Sequence, residues 1–393
     1  MTNPAVPSPL RRQTESFHIP AGVHYLNCAY MSPLLREVEE AGIKGLRGKR
    51  RPFDTSPDDF FRDSDRLREA FATLVGAADP ARVAIVPSVS YGITAAARNL
   101  APDEGSRIVI LGEQFPSNVY PWRRLASDRR LELVTVDPPT VSGSRGEAWN
   151  EALLDAIDRS TSIIALPQYH WMDGTRFDLE SVGRRAREVG AALIIDGTQS
   201  VGAATFDLEA IGPDALVCAS YKWLLGPYSI GLAWYGSRFD EGAPLEETWI
   251  SRLGSDDFRR VAEYRDDYRP AAARYDMGER SNFILVPMQM AAIRKILEWT
   301  PERIQDYCRN ITRGPLAEAT SLGVSVEDEA WRGAHLFGLR LPAGVDPARL
   351  APMLEARSIT VSLRGSAVRV APHVYNGEED LQALLEAIRL TLA

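Results

Sequence analysis

The sequence predicts an α/β fold in which a large domain carries a mostly parallel seven-stranded sheet and a small α+β domain follows it. Three observations support this prediction. The 393 residues are 45 % hydrophobic and 25 % charged, which is typical of a globular protein and is enough for two domains. Between about residues 80 and 236, short aliphatic runs alternate with amphipathic stretches, the pattern of parallel strands and covering helices. After residue 237 this alternation gives way to a charged, arginine-rich connection.

The seven predicted strands are recognised by their β-branched and aliphatic residues. In chain order they are RVAIVPS, RIVILG, LELVTVD, SIIALPQY, AALIID, ALVCAS and IGLAWYG. A crossover helix over residues 178–190 begins with an acidic cap and ends on a glycine. In a parallel sheet, functional groups collect at the carboxyl ends of the strands. Those ends are Ser88, Gly112, the turn 169–173, Asp196 and the segment 220–222.

The C-terminal part is predicted to contain a helix from Pro287 to Trp299, three strands and a closing helix from Glu378. The strands are HLFGLRLP, SITVSL and AVRVAP. The predicted division of the chain is an N-terminal segment that packs near the active site, a large domain and a small C-terminal domain, with the limits 1–30, 31–270 and 271–393.

Charge and composition exclude several classes of protein. A net charge of −8 and a pI near 5.4 argue against a nucleic-acid-binding protein, whose affinity depends on concentrated positive charge. No segment reaches the roughly 20 apolar residues that a membrane span requires. The three cysteines lie far apart without a CxxC pair, so neither a disulfide framework nor a metal site is expected. We expect a cytoplasmic protein with no nucleic-acid or membrane partner.

Lysine is scarce, since only four of the 45 basic residues are lysines, and one of them, Lys222, follows a buried-looking strand. Its neighbours in ALVCASYKWLLGP are aromatic and aliphatic, so its ammonium group would be poorly solvated and its amine available as a nucleophile. A structural lysine that pairs with a carboxylate at a domain edge is the alternative. Lys44, Lys49 and Lys295 lie beside other charged residues and are interpreted as surface charge.

Asp196 ends the aliphatic run AALIID. A buried carboxylate without a partner costs several kcal/mol, so this aspartate should face a cation or cap a helix. Capping of the residues after Gly197 is the structural alternative. A strand-end aspartate with a lysine after the next strand is also what pyridoxal 5'-phosphate (PLP) chemistry needs, because the lysine holds the aldehyde and the aspartate keeps the ring nitrogen protonated.

The segments D-G-T-Q-S-V-G and S-Y-K-W-L-L-G-P resemble those of the class V aminotransferase family of fold type I PLP enzymes. Kynureninases, selenocysteine lyases and isopenicillin N epimerase-like proteins belong to this family. The resemblance implies a fold type I PLP-dependent transferase fold, with the cofactor bound by the large domain. It also implies that Lys222 and Asp196 are catalytic. Lys222 would hold PLP as a Schiff base and act as general acid and base, and Asp196 would pair with the ring nitrogen.

Two further segments resemble the family's cofactor site. Residues 113–120 resemble the loop whose aromatic residue stacks on the cofactor ring, which makes Phe115 the stacking residue. Ser88, Val89 and Ser90 stand where the family binds the phosphate at a helix N-terminus. An ordinary serine-capped helix is the alternative for this second segment.

Residues beside the catalytic pair also match the family. Gln199 matches the glutamine that bonds the phenolic oxygen of the ring, and Tyr221 matches the kynureninase tyrosine whose hydroxyl reaches the phosphate. The segment 277–282 lies where a neighbouring subunit often completes the phosphate site, with Asn282 as its cofactor-binding residue. The resemblance therefore implies a homodimer with shared active sites.

Four residues are candidates for binding the substrate. Arg369 resembles the arginine that clamps the substrate α-carboxylate, a task that suits a planar guanidinium, and a surface arginine is the alternative. His170 and Trp171 follow a predicted strand and are expected to line the pocket, as a hydrogen-bonding group and as a wall. A structural strand-end histidine is the alternative for His170. Asn27 lies in a segment near the entrance of the pocket.

The resemblance implies an enzyme that acts on an amino acid. A side-chain-cleaving lyase of kynureninase-like or selenocysteine-lyase-like type is the predicted subclass. Cysteine desulfurases carry a reactive cysteine shortly before the carboxylate-binding arginine, whereas this chain reads SLRGSAVR there, so desulfurase activity is not expected. A class V aminotransferase or an amino-acid epimerase is the alternative, and a non-catalytic PLP-binding regulator is a further one.

Overall fold

The computed structural model describes residues 8–141 and 143–392, which form three sheets and eleven α-helices. The strands are β1 (His24–Tyr25), β2 (Val83–Val86), β3 (Arg107–Leu111), β4 (Glu132–Val136), β5 (Thr161–Pro167), β6 (Ala192–Asp196), β7 (Ala215–Ala219), β8 (Gly231–Tyr235), β9 (Ser325–Val326), β10 (Phe337–Arg340), β11 (Ile359–Thr360), β12 (Ser362–Arg364) and β13 (Ala367–Val370). The helices are α1 (Arg36–Gly48), α2 (Arg62–Val75), α3 (Val89–Arg98), α4 (Tyr120–Arg129), α5 (Arg145–Ala156), α6 (Leu179–Val189), α7 (Leu208–Ile211), α8 (Leu285–Trp299), α9 (Pro301–Ser321), α10 (Ala351–Ala356) and α11 (Glu378–Leu392).

The central sheet has seven strands in the order β2-β8-β7-β6-β5-β3-β4. Strand β8 runs antiparallel to both of its neighbours, and the other four pairings are parallel. Each of the seven predicted strands overlaps one strand of this sheet to within a few residues at either end. The structure thus confirms the prediction of a mostly parallel seven-stranded sheet.

The sheet separates two apolar layers because successive residues of a strand point to opposite faces. Val83 and Ile85 of β2 belong to the layer that contains α1, α2, α5, α6 and α8. Ala84 and Val86 belong to the layer that contains α3 and α4. Strand β6 is buried along its whole length, which explains why its sequence is a continuous aliphatic run.

The crossover helix α6 shows how the sequence sets the limits of an element. Asp178 caps its N-terminus by accepting a hydrogen bond from the Ser181 amide at 3.2 Å. Gly190 ends the helix with a φ of 78°, a left-handed conformation that side chains disfavour. Leu179 and Val182 lie on its buried face. The predicted cap and terminal glycine are therefore both observed.

The C-terminal part contains an antiparallel sheet of order β12-β13-β10-β9, and α9 and α11 cover it around Phe337 and Leu384. The run SITVSL is predicted as one strand but forms two. Its first half, β11, pairs with β1 in a separate parallel sheet, whereas its second half, β12, pairs with β13. Local sequence does not encode this change of partner at Val361.

The predicted domain limits at residues 30 and 270 stay a prediction. Helix α8 packs against α1 and α2, whereas α9 packs against α11, so the chain crosses between the two parts near residue 300. Residues 1–7 of the predicted N-terminal segment lie outside the described residues.

Among the described residues, no helix is both long enough and apolar enough to cross a membrane. The same residues contain no group of three or more His, Cys, Asp or Glu side chains that could hold a metal ion. Cys28, Cys218 and Cys308 are buried and form no disulfide.

Candidate active site

The carboxyl ends of the central strands surround a cavity of about 220 Å³. Ser88 follows β2, Phe115 follows β3 and Asp196 ends β6, so residues far apart in the sequence meet at one edge of the sheet. Lys222 follows β7 and lines the same cavity. The other predicted site residues on its wall are Val89, Ser90, Trp171, Gln199 and Tyr221.

Lys222 is buried in this cavity without an ion pair. It is 6 % exposed, and no carboxylate of the described residues lies within 4.0 Å of its amine. Burial lowers the pKa of Lys222 to about 8, and the nearby charge of Asp196 partly opposes this shift. Its Nζ lies 5.3 Å from the centre of the Phe115 ring and 5.6 Å from that of the Tyr221 ring. About a tenth of the amine is therefore neutral and nucleophilic at pH 7, far more than for an ordinary lysine.

The other three lysines lie in ordinary surface environments. Lys44 and Lys49 are exposed, and the amine of Lys295 lies 3.0 Å from a Glu298 carboxylate oxygen. Pairing with a carboxylate, the alternative for Lys222, is thus observed for Lys295 and not for Lys222.

Asp196 combines the two roles that its sequence position left open. Its Oδ1 accepts a hydrogen bond from the Thr198 amide at 3.0 Å and so caps the short helical turn that follows β6. The residue is 6 % exposed and makes no ion pair within 4.0 Å among the described residues. Burial raises the pKa of Asp196, whereas the hydrogen bonds from Thr198 and the charge of Lys222 oppose that shift. The carboxylate therefore lines the cavity without a full counter-charge.

Gln199 is held on the cavity wall by three hydrogen bonds. Its side-chain oxygen accepts one from Trp223 Nε1 at 2.7 Å, and its side-chain nitrogen donates one to the Ala29 carbonyl at 3.2 Å. Its main-chain oxygen lies 2.9 Å from His335 Nε2. The second N–H of the amide group has no partner in this set and can serve a ligand. The two family-like segments approach closely here because Gly202, with a φ of 101°, has no Cβ to meet the Trp223 carbonyl.

Helix α3 begins at the cavity. Ser88 caps it, with Oγ accepting a hydrogen bond from the Tyr91 amide at 3.2 Å, and the Ser90 hydroxyl lies 2.9 Å from the Ser88 hydroxyl. The first amides of a helix lack intrahelical partners, and the N-terminus carries partial positive charge. Because Ser88, Val89 and Ser90 all line the cavity, this end of α3 can bind an anionic group there. The capped helix and the anion site are therefore compatible.

Two aromatic rings form one wall of the cavity. Glu113 takes a left-handed conformation, with a φ of 52°, directly after β3, and its carbonyl accepts a hydrogen bond from Trp171 Nε1 at 2.7 Å. The rings of Phe115 and Trp171 meet edge to face, with 5.4 Å between their centres. On another side, the Tyr221 ring lies 4.6 Å from the exposed ring of Tyr228. These contacts hold the aromatic walls in place.

Arg369 is buried beside the cavity and is bound by neutral oxygens. Its Nη1 donates to the Trp171 carbonyl at 2.8 Å, and its Nη2 lies 3.2 Å from the Ser362 hydroxyl and 3.4 Å from Asn27 Oδ1. Its Nε is buried without a hydrogen-bond partner among the described residues. Burial and the charge of Arg364 lower the pKa of Arg369 to about 10. Arg369 is therefore a buried arginine and not a surface arginine. Asn27 contacts its guanidinium group directly.

His170 lies in the core, contrary to the prediction that it lines the pocket. Its ring packs on that of Trp149 at 4.9 Å between centres, and its Nδ1 is 3.9 Å from Asp173 Oδ1. Burial lowers the pKa of His170 to about 4. The turn after β5 directs this side chain away from the cavity and brings Trp171 to it.

Asn282 does not line the cavity either, and the same holds for the neighbouring pair Arg369 and Asn27. Its side-chain oxygen accepts hydrogen bonds from the Ile284 and Leu285 amides at 3.0 and 2.9 Å, so it caps α8. A contribution of Asn282 to the site of a neighbouring subunit stays a prediction.

Sequence reasoning missed three residues that build the site. Thr198 lines the cavity, and its hydroxyl accepts a hydrogen bond from the Ala219 amide at 3.2 Å, which ties the ends of β6 and β7 together. Thr198 and Trp223 both lie within the family-like segments, so a signal for them was present. His335 had no local signal, because it reaches Gln199 across more than a hundred residues of sequence.

The chain is similar to known proteins both in sequence and in fold. A model of the family described as Aminotransferase class-V matches residues 54–391. The chain is 24 % identical to isopenicillin N epimerase from Streptomyces clavuligerus, over 92 % of its own length and 93 % of that protein. It is 30 % identical to kynureninase from Burkholderia mallei, over 62 % of its own length and 59 % of that enzyme.

One solved structure similar to this chain is a cystine C–S lyase mutant with glycine covalently linked to its PLP cofactor, which superposes with a TM-score of 0.81. The two chains are 16 % identical, and the superposition covers 96 % of this chain and 98 % of that one. At this identity the likeness concerns the fold, and it confirms the predicted fold class.

Proposed function

The chain belongs to the class V aminotransferase family, and from this premise we propose that it is a PLP-dependent enzyme that acts on an amino acid through Lys222. One observation carries the proposal: a single cavity of about 220 Å³ brings together the Lys222 amine, the Asp196 carboxylate and the start of α3. Both charged side chains are buried and lack an ion pair within 4.0 Å among the described residues. Such uncompensated groups in one cavity are typical of catalytic sites.

The groups on the cavity wall fit the parts of PLP. A protonated ring nitrogen would supply the counter-charge that Asp196 lacks. The cofactor phosphate would bind the first amides of α3 and the hydroxyls of Ser88 and Ser90. Phe115 offers an aromatic ring for stacking, and the free N–H of Gln199 offers a donor for the phenolic oxygen. Tyr221 supplies a hydroxyl on the same wall for the phosphate.

Each protein group then has a defined task. Bound PLP supplies an aldehyde that condenses with amines and a ring that accepts electrons from the substrate Cα. Lys222 removes the proton from Cα and returns it, and its pKa near 8 suits this transfer near neutral pH. Asp196 holds the proton on the ring nitrogen. Arg369 binds the α-carboxylate through two parallel hydrogen bonds. Asn27 and Trp171 orient the guanidinium group of Arg369.

The proposed subclass is a lyase that cleaves the substrate side chain, of kynureninase-like or selenocysteine-lyase-like type. Tyr221 before the lysine, Phe115 in its loop and the 30 % identity to kynureninase support this choice. Persulfide chemistry is not part of the proposal. All three cysteines are buried, and burial raises the pKa of the Cys308 thiol to about 12 and that of the Cys218 thiol well above its usual value.

Amino-acid epimerisation is the second candidate activity. The match to isopenicillin N epimerase over 92 % of this chain and 93 % of that protein favours it, because the match to kynureninase spans only 62 % of this chain and 59 % of that enzyme. A panel of amino acids distinguishes the candidates. A lyase forms a shortened amino acid such as alanine, an epimerase forms the mirror-image amino acid, and an aminotransferase forms a keto acid with pyridoxamine phosphate. Pyridoxamine phosphate as the productive outcome would overturn the lyase assignment.

Borohydride reduction tests the cofactor assignment. We expect the protein with PLP to absorb visible light, and reduction to fix the cofactor on Lys222. Because the chain has only four lysines, mass spectrometry of peptides assigns the adduct directly. The Lys222→Ala variant should lose the adduct, and the control Lys295→Ala should keep it. A protein that stays colourless with PLP contradicts the proposal.

The proposal includes a cytoplasmic homodimer with shared active sites. Tyr228 is 63 % exposed on the rim of the cavity, and Tyr30 and Met31 are exposed close to Asn27, so a second copy could cover the entrance. Mixing Lys222→Ala with Asn282→Ala tests this arrangement. If Asn282 serves the neighbouring site, each mixed dimer regains one working site. A protein that is monomeric by light scattering, or a mixture that regains no activity, would contradict the shared-site homodimer.

A further inference from the structure

Arg364 and Arg369 lie on one face of the antiparallel pair β12 and β13. Arg364 pairs with Ala367, and Arg369 lies two residues further along β13, so the two side chains project from the same side of the sheet. Both reach the same partner. Arg369 donates to the Trp171 carbonyl at 2.8 Å, and the guanidinium carbon of Arg364 lies 5.5 Å from the centre of the Trp171 ring.

Neither guanidinium has a carboxylate within 4.0 Å among the described residues, although the chain carries a net charge of −8. Arg364 donates to its neighbour's carbonyl, that of Leu363, at 3.2 Å, and its Nε is buried without a partner in the described part of the chain. The Nε of Arg369 is equally unpartnered there, and its other contacts are neutral oxygens. Two adjacent cations are thus left without counter-charge.

This pair of cations lies at the proposed active site. Trp171, which both arginines contact, lines the cavity together with Lys222 and Phe115. The charges of Arg364 and Arg369 both disfavour the protonated form of Lys222, so all three cations lie within electrostatic reach of one another. An anion bound between the arginines would therefore lie beside Trp171, at the edge of the cavity.

We propose that Arg364 binds a second anionic group at the end of the substrate side chain, and that the substrate is an amino acid with an acidic side chain. This inference rests on the proposed function, in which Arg369 binds the α-carboxylate. One guanidinium suffices for one carboxylate, which it binds through two parallel bonds. A neutral substrate leaves the charge of Arg364 uncompensated beside Arg369, whereas a substrate with a side-chain carboxylate neutralises it. The site should therefore discriminate strongly against neutral analogues.

Titration of the holoenzyme with matched amino acids tests the inference. Aspartate, glutamate and 2-aminoadipate are compared with asparagine, glutamine and norleucine, and the change in visible absorption gives the apparent Kd. We expect the best acidic ligand to bind at least about tenfold more tightly than its neutral analogue. Arg364→Gln should remove this preference by weakening the binding of the acidic ligands at least about tenfold. The control Arg349→Gln, at an exposed arginine of the same part of the chain, should leave the preference intact.

The outcomes separate this inference from the proposed function. If no amino acid perturbs the spectrum, the proposed function fails. If acidic and neutral amino acids bind equally well to the unmodified protein, the inference fails and the function stands. If Arg364→Gln weakens all amino acids equally, Arg364 belongs to the α-carboxylate site and the inference is overturned. Arg364→Lys, which keeps the charge but not the planar fork, should retain part of the preference and guards against misfolding of the glutamine variant.

Discussion

Lys222 and Asp196 are both unfavourably placed for stability, and this indicates a functional role. Burial lowers the pKa of Lys222 to about 8 and raises that of Asp196, so the charged form of each side chain is disfavoured in the fold. Each partly stabilises the charge of the other, but no ion pair forms within 4.0 Å among the described residues. In a purely structural pair the two charged groups would be in contact, whereas in a binding site the space between them is left for a ligand.

Replacing Asp196 by asparagine should separate stability from catalysis. The amide oxygen can still accept the hydrogen bond from Thr198, and a buried carboxylate is removed. We expect the apoprotein's free energy of unfolding to fall by no more than about 0.5 kcal/mol, whereas the rate of proton removal from an amino acid falls at least about 100-fold. Urea unfolding and single-turnover absorbance measure the two quantities. A stability loss of several kcal/mol would show that the carboxylate is structural.

The reaction of the apoprotein with PLP should depend on the protonation of Lys222. Only the neutral amine attacks an aldehyde, so the rate should rise with pH through a midpoint near the lysine's pKa of about 8 and level off at higher pH. Asp196→Asn should shift the midpoint to lower pH, because the carboxylate raises the lysine's pKa. Stopped-flow absorbance measures the rate, with Lys295→Ala as the control. A midpoint near the ordinary lysine value of 10.5 is the contrary result.

A site residue was predictable from the sequence when the direction of its side chain follows from the strand before it. Phe115 follows β3, Asp196 ends β6 and Lys222 follows β7. Because these strands are parallel, it was predictable that the three residues meet at one edge of the sheet. The direction of His170 depends on a turn whose shape comes from distant packing. Gly174 closes that turn with a φ of 73°, where a Cβ would meet the Leu336 carbonyl at 2.1 Å. No local pattern in the sequence contains that contact.

At the scale of elements, the seven strands of the central sheet were predictable because each is a run of aliphatic or β-branched residues between turn residues, and all except the edge strand β4 are largely buried. The C-terminal run SITVSL was not, because its division between two sheets depends on which strand lies beside each half. Helix α3 depends both on its local sequence and on the order of the strands in the sheet. Its serine cap is visible in the sequence, whereas the position of its N-terminus on the cavity follows from the order of the strands.

Ser88 and Ser90 should contribute differently to this helix. Ser88→Ala removes the cap of α3 and should lower the free energy of unfolding of the apoprotein by about 1 kcal/mol, whereas Ser90→Ala should not. Both should weaken PLP binding by about tenfold, because each removes one hydrogen bond to an anion. Equilibrium titration measures both affinities. Pyridoxal, which lacks the phosphate, is the control ligand, and equal losses for pyridoxal would refute the phosphate assignment.

At the scale of the whole molecule, buried neutral histidines join the C-terminal part to the central sheet. The rings of His335 and His373 lie 4.6 and 5.8 Å from that of Trp223, directly after Lys222. His335 also bonds the Gln199 main chain at 2.9 Å, whereas neither nitrogen of His373 has a partner among the described residues. With His170, three of the five histidines are fully buried, so proton uptake at these sites opposes the fold.

The apoprotein should therefore lose stability in mild acid. Burial lowers the pKa of His170 and His335 to about 4 and that of His373 to about 3, against 6.5 in an unfolded chain. Between these values the unfolded state binds more protons, so this stability is complete above about pH 6.5 and is lost as the pH falls towards 4. By pH 5 the loss is about 2 kcal/mol for each histidine.

Urea unfolding between pH 7.5 and 5 measures this dependence, and two variants assign it. His373→Phe suits the aromatic surroundings and removes no hydrogen bond of the described residues, so the slope of stability against pH should fall by about one proton. His18→Gln, at an exposed histidine, is the matched control variant. An undiminished slope in His373→Phe would place the acid sensitivity elsewhere. The pKa values of carboxylates such as Asp173 and Asp178 are lowered from the ordinary value of 3.8 by neighbouring positive charges and hydrogen bonds, so their protonation does not interfere in this range.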